Sequence, residues 1–200
     1  MKFRLQTAAL VLALACSTAF GAAPSPARVR GVITAIDASK VIVQPKEGAP
    51  ITVTLAPEWR VSVTKPVSVD QIVPGSFVGT TEVPQDDGTG RSLEVHVFPP
   101  GVKVGEGHYA WDLRPGSMMT NGTVGKVVAG AHGRELEISY PNGQRKVTVP
   151  PSVPVVQIEP GKREQVKTGI AVFLIALSRA DGSLVTSSIS IGANGEAPPM

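Results

Sequence analysis

The sequence has very little cysteine, few aromatic residues and no marked excess of either charge. Its 200 residues include one cysteine, Cys16, and 4% are aromatic. A lone cysteine cannot form an intramolecular disulfide or a zinc site built from several cysteines. There are 19 basic and 16 acidic residues and no basic block, so the chain lacks the positive patch of a nucleic-acid-binding protein. We therefore expect no nucleic-acid partner.

The first 21 residues have the three parts of a secretory signal peptide. Lys2 and Arg4 form a basic start, residues 8–15 are apolar, and small residues lead to Gly21. We predict cleavage after Gly21, export and a periplasmic location. The alternative is a lipid anchor on Cys16, in the sequence ALAC, which has alanine where a lipobox has leucine. After this segment no apolar run reaches membrane-spanning length, so we expect no transmembrane segment in the mature chain.

The rest of the chain has the pattern of an all-β protein. Short segments such as VRGVITAID, ITVTLAP and LEVHVF alternate apolar with polar residues, and 21 glycines and 18 prolines separate them. Alternation with a period of two is typical of strands with one buried face. Helical periodicity is not sustained over three turns in any segment. Residues 68–75 are predicted to form one helical turn that Ser68 caps.

The second half of the chain repeats the first, and from residue 53 to residue 97 the offset is constant at 94 residues. VTLAP at 53–57 matches VTVPP at 147–151, Asp87-Gly88 matches Asp181-Gly182, and VHV at 95–97 matches ISI at 189–191. Such a series indicates a tandem duplication. A sheet of five or six strands buries its inner face and hides its edges by closing into a barrel.

We therefore predict two tandem OB-like β-barrels of five or six strands each, at 28–98 and 121–192. SH3-like barrels or small sandwiches are the alternative. Gly31 and Gly122 are expected where a first strand bends at a barrel corner. Residues 99–120 are predicted to be an aromatic linker, and residues 193–200 a flexible tail.

Several longer stretches resemble a known set of proteins. The segments LEVHVFPPG, GEGHYAWDL, MTNGTVG, VPPSVPVV and IGANGEAPPM are similar to those of an uncharacterised family of exported proteobacterial proteins. The resemblance covers nearly the whole mature chain and implies OB-like domains of unknown function. Some members are labelled automatically as metal transporter permeases. A permease needs several membrane-spanning helices, so the resemblance implies at most an accessory role in metal transport.

The linker holds the most versatile side chains in the sequence. His108, Tyr109, Trp111, Asp112 and Arg114 lie between glycines within residues 105–122. Tryptophan buries a large area and carries one hydrogen-bond donor, which suits a joint between two barrels. The same residues would suit a ligand-binding site in the inter-domain groove, for a glycan or a segment of another envelope protein.

A metal site is the second hypothesis for this region. Imidazole and thioether groups suit copper, and imidazole suits zinc. The candidate ligands are His96, His108, Met118 and Met119, although no His-x-His or Met-x-x-Met spacing is present. His96 is expected to point outward from its strand, where histidines are usually solvated. This site would make the protein a periplasmic copper or zinc accessory.

Motifs of catalysis are missing. The serines have no G-x-S-x-G setting, and GTGR at 88–91 has no Lys-Ser/Thr or helix after it, so it is not a phosphate loop. The favoured interpretation is a non-catalytic, exported binding or structural module that acts through its inter-domain groove, with no bound cofactor. An unrecognised hydrolase is the third hypothesis.

Overall fold

A computed structural model describes residues 26–200, which form an almost entirely β protein, as the alternating sequence predicts. The predicted signal peptide and Cys16 lie outside the described residues. The strands of the first half are β1 Ala27–Ile36, β2 Lys40–Gln44, β3 Ile51–Pro66, β4 Phe77–Pro84 and β5 Gly90–Val97. The strands of the second half are β6 Gly107–Ala110, β7 Met118–Gly130, β8 Gly133–Tyr140, β9 Gly143–Val149, β10 Val155–Gly161, β11 Ala171–Ser178 and β12 Leu184–Gly192. Across residues 26–200, helices of the length and apolarity needed to cross a membrane are absent.

Two rings of five strands organise the molecule. In barrel A the order is β1-β2-β3-β12-β11, and β11 returns to β1. Barrel B repeats this order with β7-β8-β9-β5-β4, and β4 returns to β7. In each ring one pair of strands is parallel, β3 with β12 in barrel A and β5 with β9 in barrel B, while the others are antiparallel. The prediction of an all-β, OB-like barrel fold is confirmed.

Each barrel is assembled from both halves of the chain. The first three strands of barrel A come from residues 27–66, but its closing hairpin is β11–β12, from residues 171–192. Barrel B takes its closing hairpin, β4–β5, from the first half. The sequence predicted contiguous domains at 28–98 and 121–192, whereas the structure exchanges the closing hairpins between the repeats. Strand β3 is 16 residues long and carries the chain out of barrel A before the hairpin begins.

The repeat appears in the structure at the same offset as in the sequence. The parallel pair Leu184–Val53 of barrel A corresponds to Gly90–Val147 of barrel B, and each residue has moved by 94 positions. Two short 3₁₀ helices also match, Val69–Gln71 and Arg163–Gln165. The exchanged arrangement therefore has a pseudo-two-fold symmetry that relates one barrel to the other.

Strand β10 joins the two barrels into one sheet. It pairs antiparallel with β3 and parallel with β5. In the β3–β10 ladder Thr64 lies opposite Ile158, which is its own equivalent 94 residues later, so the pseudo-two-fold axis passes through this pair. Strands β12, β3, β10 and β5 are therefore neighbours in one continuous sheet, which presents an outer face between the barrels.

Each barrel encloses its own apolar core. Branched aliphatic side chains fill both interiors, among them Val41, Val53 and Ile189 in barrel A and Leu136, Ile138 and Val147 in barrel B. A buried residue after each 3₁₀ helix joins a core, Ile72 in barrel B and Val166 in barrel A. The hydroxyl of Ser68 accepts a hydrogen bond from the backbone N–H of Asp70, which confirms the predicted cap.

Gly31 and Gly122 lie where the first strand of each barrel presses against its neighbour. A Cβ at Gly31 would lie 2.2 Å from the carbonyl oxygen of Gln44, and one at Gly122 would lie 2.4 Å from that of Ser139. These distances are far shorter than a carbon–oxygen contact, so a larger residue would separate the strands. The close approach explains why both repeats have glycine here.

Residues 193–197 of the predicted tail are exposed, but its last residues, 198–200, pack against the barrels. Met200 is 5% exposed and packs against Val156 and Phe173. Its backbone oxygen accepts a hydrogen bond of 2.8 Å from Nε of Arg30. A methionine side chain can fill an irregular apolar gap, and that gap exists only once the barrels meet.

Candidate functional site

A cavity of about 540 Å³ lies between the two barrels, on the outer face of the sheet that joins them. The four strands of that sheet form its floor, and their lining residues include Ser62 in β3, Ile158 in β10, Ser190 in β12 and His96 in β5. Phe173 and Ile175 of β11 form one wall. Residues of the segment 98–105, Tyr109 of β6 and Trp111 also line the cavity, and the ring of Trp111 lies 6.3 Å from that of Phe173. We call this space the inter-barrel cavity.

The lining of the cavity is mainly aromatic and aliphatic. Phe98, Trp111 and Phe173 contribute rings, and Met119 and Met200 contribute thioether side chains. Three apolar residues at the cavity also remain exposed to solvent, Val102, Val104 and Ile175, with exposed fractions of 40%, 52% and 41%. Small-molecule sites commonly have such apolar walls with a few polar groups, and volumes of about 300–1,000 Å³.

Trp111 is both a cavity wall and part of the joint between the barrels. The guanidinium of Arg28 lies 4.0 Å from the centre of its ring, and the ring of Phe173 is 6.3 Å away. Next in sequence, Asp112 accepts a hydrogen bond of 2.8 Å from Arg30. Both arginines belong to barrel A, so the linker is fixed to that barrel by a cation–π contact and an ion pair. The buried Nε1 of Trp111 has no hydrogen-bond partner within residues 26–200.

Glu94 and His96 form a buried pair at the barrel B end of the cavity. Oε2 of Glu94 lies 3.0 Å from Nδ1 of His96, and Oε1 accepts hydrogen bonds from the backbone N–H and the hydroxyl of Thr81. Both side chains alternate outward from the barrel, as the sequence predicts. They are not solvated, however, since His96 is 4% exposed and packs edge-on against Phe98. The segment after β5 covers this face, so the histidine is held in one orientation.

Asn121 lies beside this histidine on the same face. Its Nδ2 donates to the carbonyl oxygen of Gly105 and to the hydroxyl of Tyr109, both at 2.9 Å. The carbonyl can only accept, which sets the orientation of the amide. Oδ1 therefore faces the other way, toward Gly79, and this buried atom has no partner among the described residues. Burial raises the pKa of Tyr109 and outweighs the opposite effect of Arg28, so its hydroxyl stays protonated.

A second polar cluster lies inside barrel B, on the face of β4 and β7 that points away from the cavity. Glu82 is completely buried, and its Oε1 accepts a hydrogen bond of 2.6 Å from Nε of Arg145. Burial raises the pKa of Glu82, while Arg145 acts in the opposite direction. Nδ1 of His108 lies 2.8 Å from the hydroxyl of Thr120, and burial, together with Arg145, lowers the pKa of His108. His108 also stacks on Tyr140, so these contacts suit a structural cluster inside barrel B.

The predicted groove residues separate into two groups. Tyr109 and Trp111 line the inter-barrel cavity. His108 lies on the other face of β6, because successive residues of a strand alternate between faces. Asp112 pairs with Arg30, and Arg114 is exposed in the turn before Ser117, where its carbonyl oxygen accepts from the serine hydroxyl. The linker therefore supplies two aromatic residues to the site and uses its charged residues elsewhere.

The alternation of side chains along a strand also places the predicted metal ligands on two different faces. His96 and Met119 line the cavity, whereas His108 and Met118 belong to the opposite face of their strands. Within residues 26–200, groups of three or more His, Cys, Asp or Glu side chains suited to holding a metal ion are absent. The four proposed ligands are thus not brought together around one point.

Several residues of the site were not expected from sequence reasoning. They are Glu94, Phe98, Val102, Asn121, Phe173 and Met200. The scarcity of aromatics offered one signal, because only three phenylalanines follow the predicted signal peptide and two of them line the cavity. Asn121 and Glu94 gave no local signal, since their roles depend on strands that are distant in sequence.

Comparisons with protein-family models, with curated proteins and with solved structures found no match to this chain.

Proposed function

We propose that this protein is a non-catalytic carrier or receptor that binds one small, largely apolar molecule in the inter-barrel cavity. The observation that carries the proposal is the cavity itself, with about 540 Å³ of space, aromatic walls and exposed valines beside it. Exposed apolar side chains cost solvation free energy unless something covers them, so their position beside an apolar cavity favours an apolar ligand. A buried donor on Trp111 and a buried acceptor on Asn121 would give such a ligand a defined orientation.

The hydroxyl groups in the cavity support binding over hydrolysis. Ser62 and Ser190 form a hydrogen bond of 2.7 Å with each other across the pair β3–β12. The imidazole of His96 is held by a carboxylate, which is one part of a nucleophile–base arrangement. A nucleophilic serine donates its hydroxyl proton to the histidine, whereas among residues 26–200 these two hydroxyls bond to each other and His96 bonds to Glu94.

The leader-like first 21 residues support the further proposal that the ligand is met outside the cytoplasm, in the periplasm. There the protein would hold an apolar compound away from water. The proposed ligand is a small molecule, since a cavity of about 540 Å³ has the size of small-molecule sites.

A cavity-filling substitution tests the proposed function. Ser190→Phe places a ring in the floor of the cavity, while Ser187→Phe adds the same ring on the same strand at an exposed position outside the lining. Binding of the apolar fluorescent probe N-phenyl-1-naphthylamine is titrated for each protein. We expect one site per chain, with affinity at least about tenfold weaker in Ser190→Phe and unchanged in Ser187→Phe. Failure of the natural chain to bind, or equal binding by both variants, would refute the proposal.

A further inference from the structure

The inter-barrel cavity has a polar corner formed by His96 and Asn121, with Gly79 beneath it. A Cβ at Gly79 would lie 2.0 Å from Nε2 of His96 and 2.3 Å from Oδ1 of Asn121. The two atoms therefore both lie against Gly79 and close to each other, and this approach is possible only because residue 79 has no side chain. Both residues line the cavity.

Both of these atoms are hydrogen-bond acceptors. Glu94 already accepts two hydrogen bonds from Thr81, and its second oxygen faces Nδ1 of His96, so Nδ1 carries the imidazole proton. In the neutral ring Nε2 is then an acceptor. Oδ1 of Asn121 is an acceptor whose orientation is set by the bond from Nδ2 to Gly105. Two acceptors this close to each other repel unless a donor lies between them.

From this geometry we infer that the ligand is an uncharged apolar compound with a hydroxyl group, which donates its proton at the corner of His96 and Asn121. The inference rests on the proposed function, and it names the chemical class of the ligand. A ligand anion would face two acceptors and the nearby carboxylate of Glu94, so it is disfavoured. An ammonium group is disfavoured by the arginines, because Arg28 and Arg30 lie over the rings of Trp111 and Phe173, at 4.0 and 5.0 Å.

Glu94 is a positioning residue in this scheme. Its carboxylate does not need to touch the ligand, since its contact with Nδ1 selects the tautomer in which Nε2 accepts. Thr81 holds the carboxylate in turn through its backbone N–H and its hydroxyl, both at 2.7 Å. The chain of contacts runs from β4 through β5 to the cavity, so the polar corner is set before a ligand enters.

Four probes with the same ring system test the inference. They are 2-naphthol, which has a donor; 2-methoxynaphthalene, which has an acceptor only; 2-methylnaphthalene, which has neither; and 2-naphthoate, an anion. Their affinities are measured by displacement of N-phenyl-1-naphthylamine from the full chain. We expect 2-naphthol to bind about tenfold more tightly than 2-methoxynaphthalene, because one hydrogen bond satisfies a buried acceptor.

The preference is then measured in Asn121→Leu and in the control Asn142→Leu, which makes the same change in an exposed turn. The preference for naphthol should fall at least about threefold in the first variant and stay unchanged in the second. The ratio within each protein is the readout, and retained binding of 2-methylnaphthalene shows that a variant is folded. If Asn121→Leu does not fold, the ¹⁵N shift of Nε2 of His96 in the natural chain decides: it should move with 2-naphthol and not with 2-methoxynaphthalene.

The outcomes separate this inference from the proposed function. Equal affinities for all four probes would overturn the inference and leave apolar binding in place. Tightest binding of 2-naphthoate would also overturn it, since it would mean that the corner donates hydrogen bonds. No binding of any probe would refute the proposed function and the inference together.

Discussion

Arg145→Ile tests whether a buried ion pair stabilises the exchanged arrangement of the hairpins. Glu82 on β4 and Arg145 on β9 meet inside barrel B, at 2.6 Å. The equivalent positions 94 residues away are Ala176 and Ile51, which are both uncharged and belong to barrel A. If β4–β5 closed on β1–β3 instead, Glu82 would be buried beside Ile51, without a cation. We therefore expect the pair to favour the exchanged arrangement over the contiguous one.

The magnitude follows from the burial of Glu82. Its side chain is completely inaccessible and that of Arg145 is 16% exposed, so the pair lies well inside the barrel. Removing one partner of a buried pair typically costs about 3–5 kcal/mol, because an uncompensated charge remains. Such a loss would be a large part of a total stability of about 5–15 kcal/mol. Glu82→Ala should cost less, since Arg145 keeps its hydrogen bonds to the carbonyl oxygens of Gly88 and Thr89.

The free energy of unfolding that Arg145→Ile loses should also depend on pH. Burial already raises the pKa of Glu82 above its ordinary value, and loss of the guanidinium would raise it further. A carboxyl whose pKa is higher in the folded state stabilises that state at low pH and loses this contribution as pH rises through the folded pKa. The free-energy cost of Arg145→Ile should therefore be smaller at pH 5 than at pH 7.

Urea unfolding at both pH values, followed by tryptophan fluorescence, measures these quantities. The double variant Glu82→Ala/Arg145→Ile copies the residues of barrel A and should regain at least about 2 kcal/mol relative to the sum of the single losses. A cost below about 1 kcal/mol for Arg145→Ile at pH 7, or additive losses in the double variant, would show that the pair has no such role.

Three further predictions concern the cavity, metals and export. Gly79→Ala should destabilise the protein by about 1–3 kcal/mol in urea unfolding, because its Cβ would lie 2.0 Å from the His96 ring. The control Gly125→Ala, whose Cβ would lie 3.8 Å from its nearest atom, should have little effect, and equal losses in the two variants would contradict the prediction. In a thermal-shift titration with Cu(II) or Zn(II), we expect no stabilisation that depends on both His96 and His108, because the two side chains lie on opposite faces of the sheet. A saturable rise in melting temperature that is lost when either histidine is replaced would contradict this. Expression of the full chain in a bacterium should yield a periplasmic product whose N-terminal sequence begins at Ala22, while a product retaining residues 1–21 would refute the predicted cleavage.

Much of the local structure could be predicted because it depends on neighbouring residues. Alternation of apolar and polar residues identifies strands and their inner faces, as in VRGVITAID, which lies in β1 and the turn after it. Gly31 and Gly122 were expected at barrel corners, and each lies where a Cβ would strike the neighbouring strand. The aromatic linker was expected between the barrels, and its Trp111 contacts Arg28 and Phe173 of barrel A.

The site itself could be predicted only in part. Tyr109 and Trp111 were recognised as groove residues because aromatics are rare in this chain. His96 was expected in solvent, since a strand pattern shows which side chains point outward but not what later covers them. The roles of Glu94 and Asn121 depend on contacts with β4, β7 and the segment before β6. No local sequence pattern shows that these elements come together.

By itself the sequence determined the strands, the duplication with its offset of 94 residues, and the kind of barrel that each repeat can form. The tertiary structure alone decided which hairpin closes which barrel, and with it the sheet β12-β3-β10-β5 and the cavity on its outer face. The physical reason is that both repeats have the same alternation, so either hairpin fits either barrel by pattern. The choice is made by contacts between residues far apart in the chain, and we expect that of Glu82 with Arg145 to be one of them.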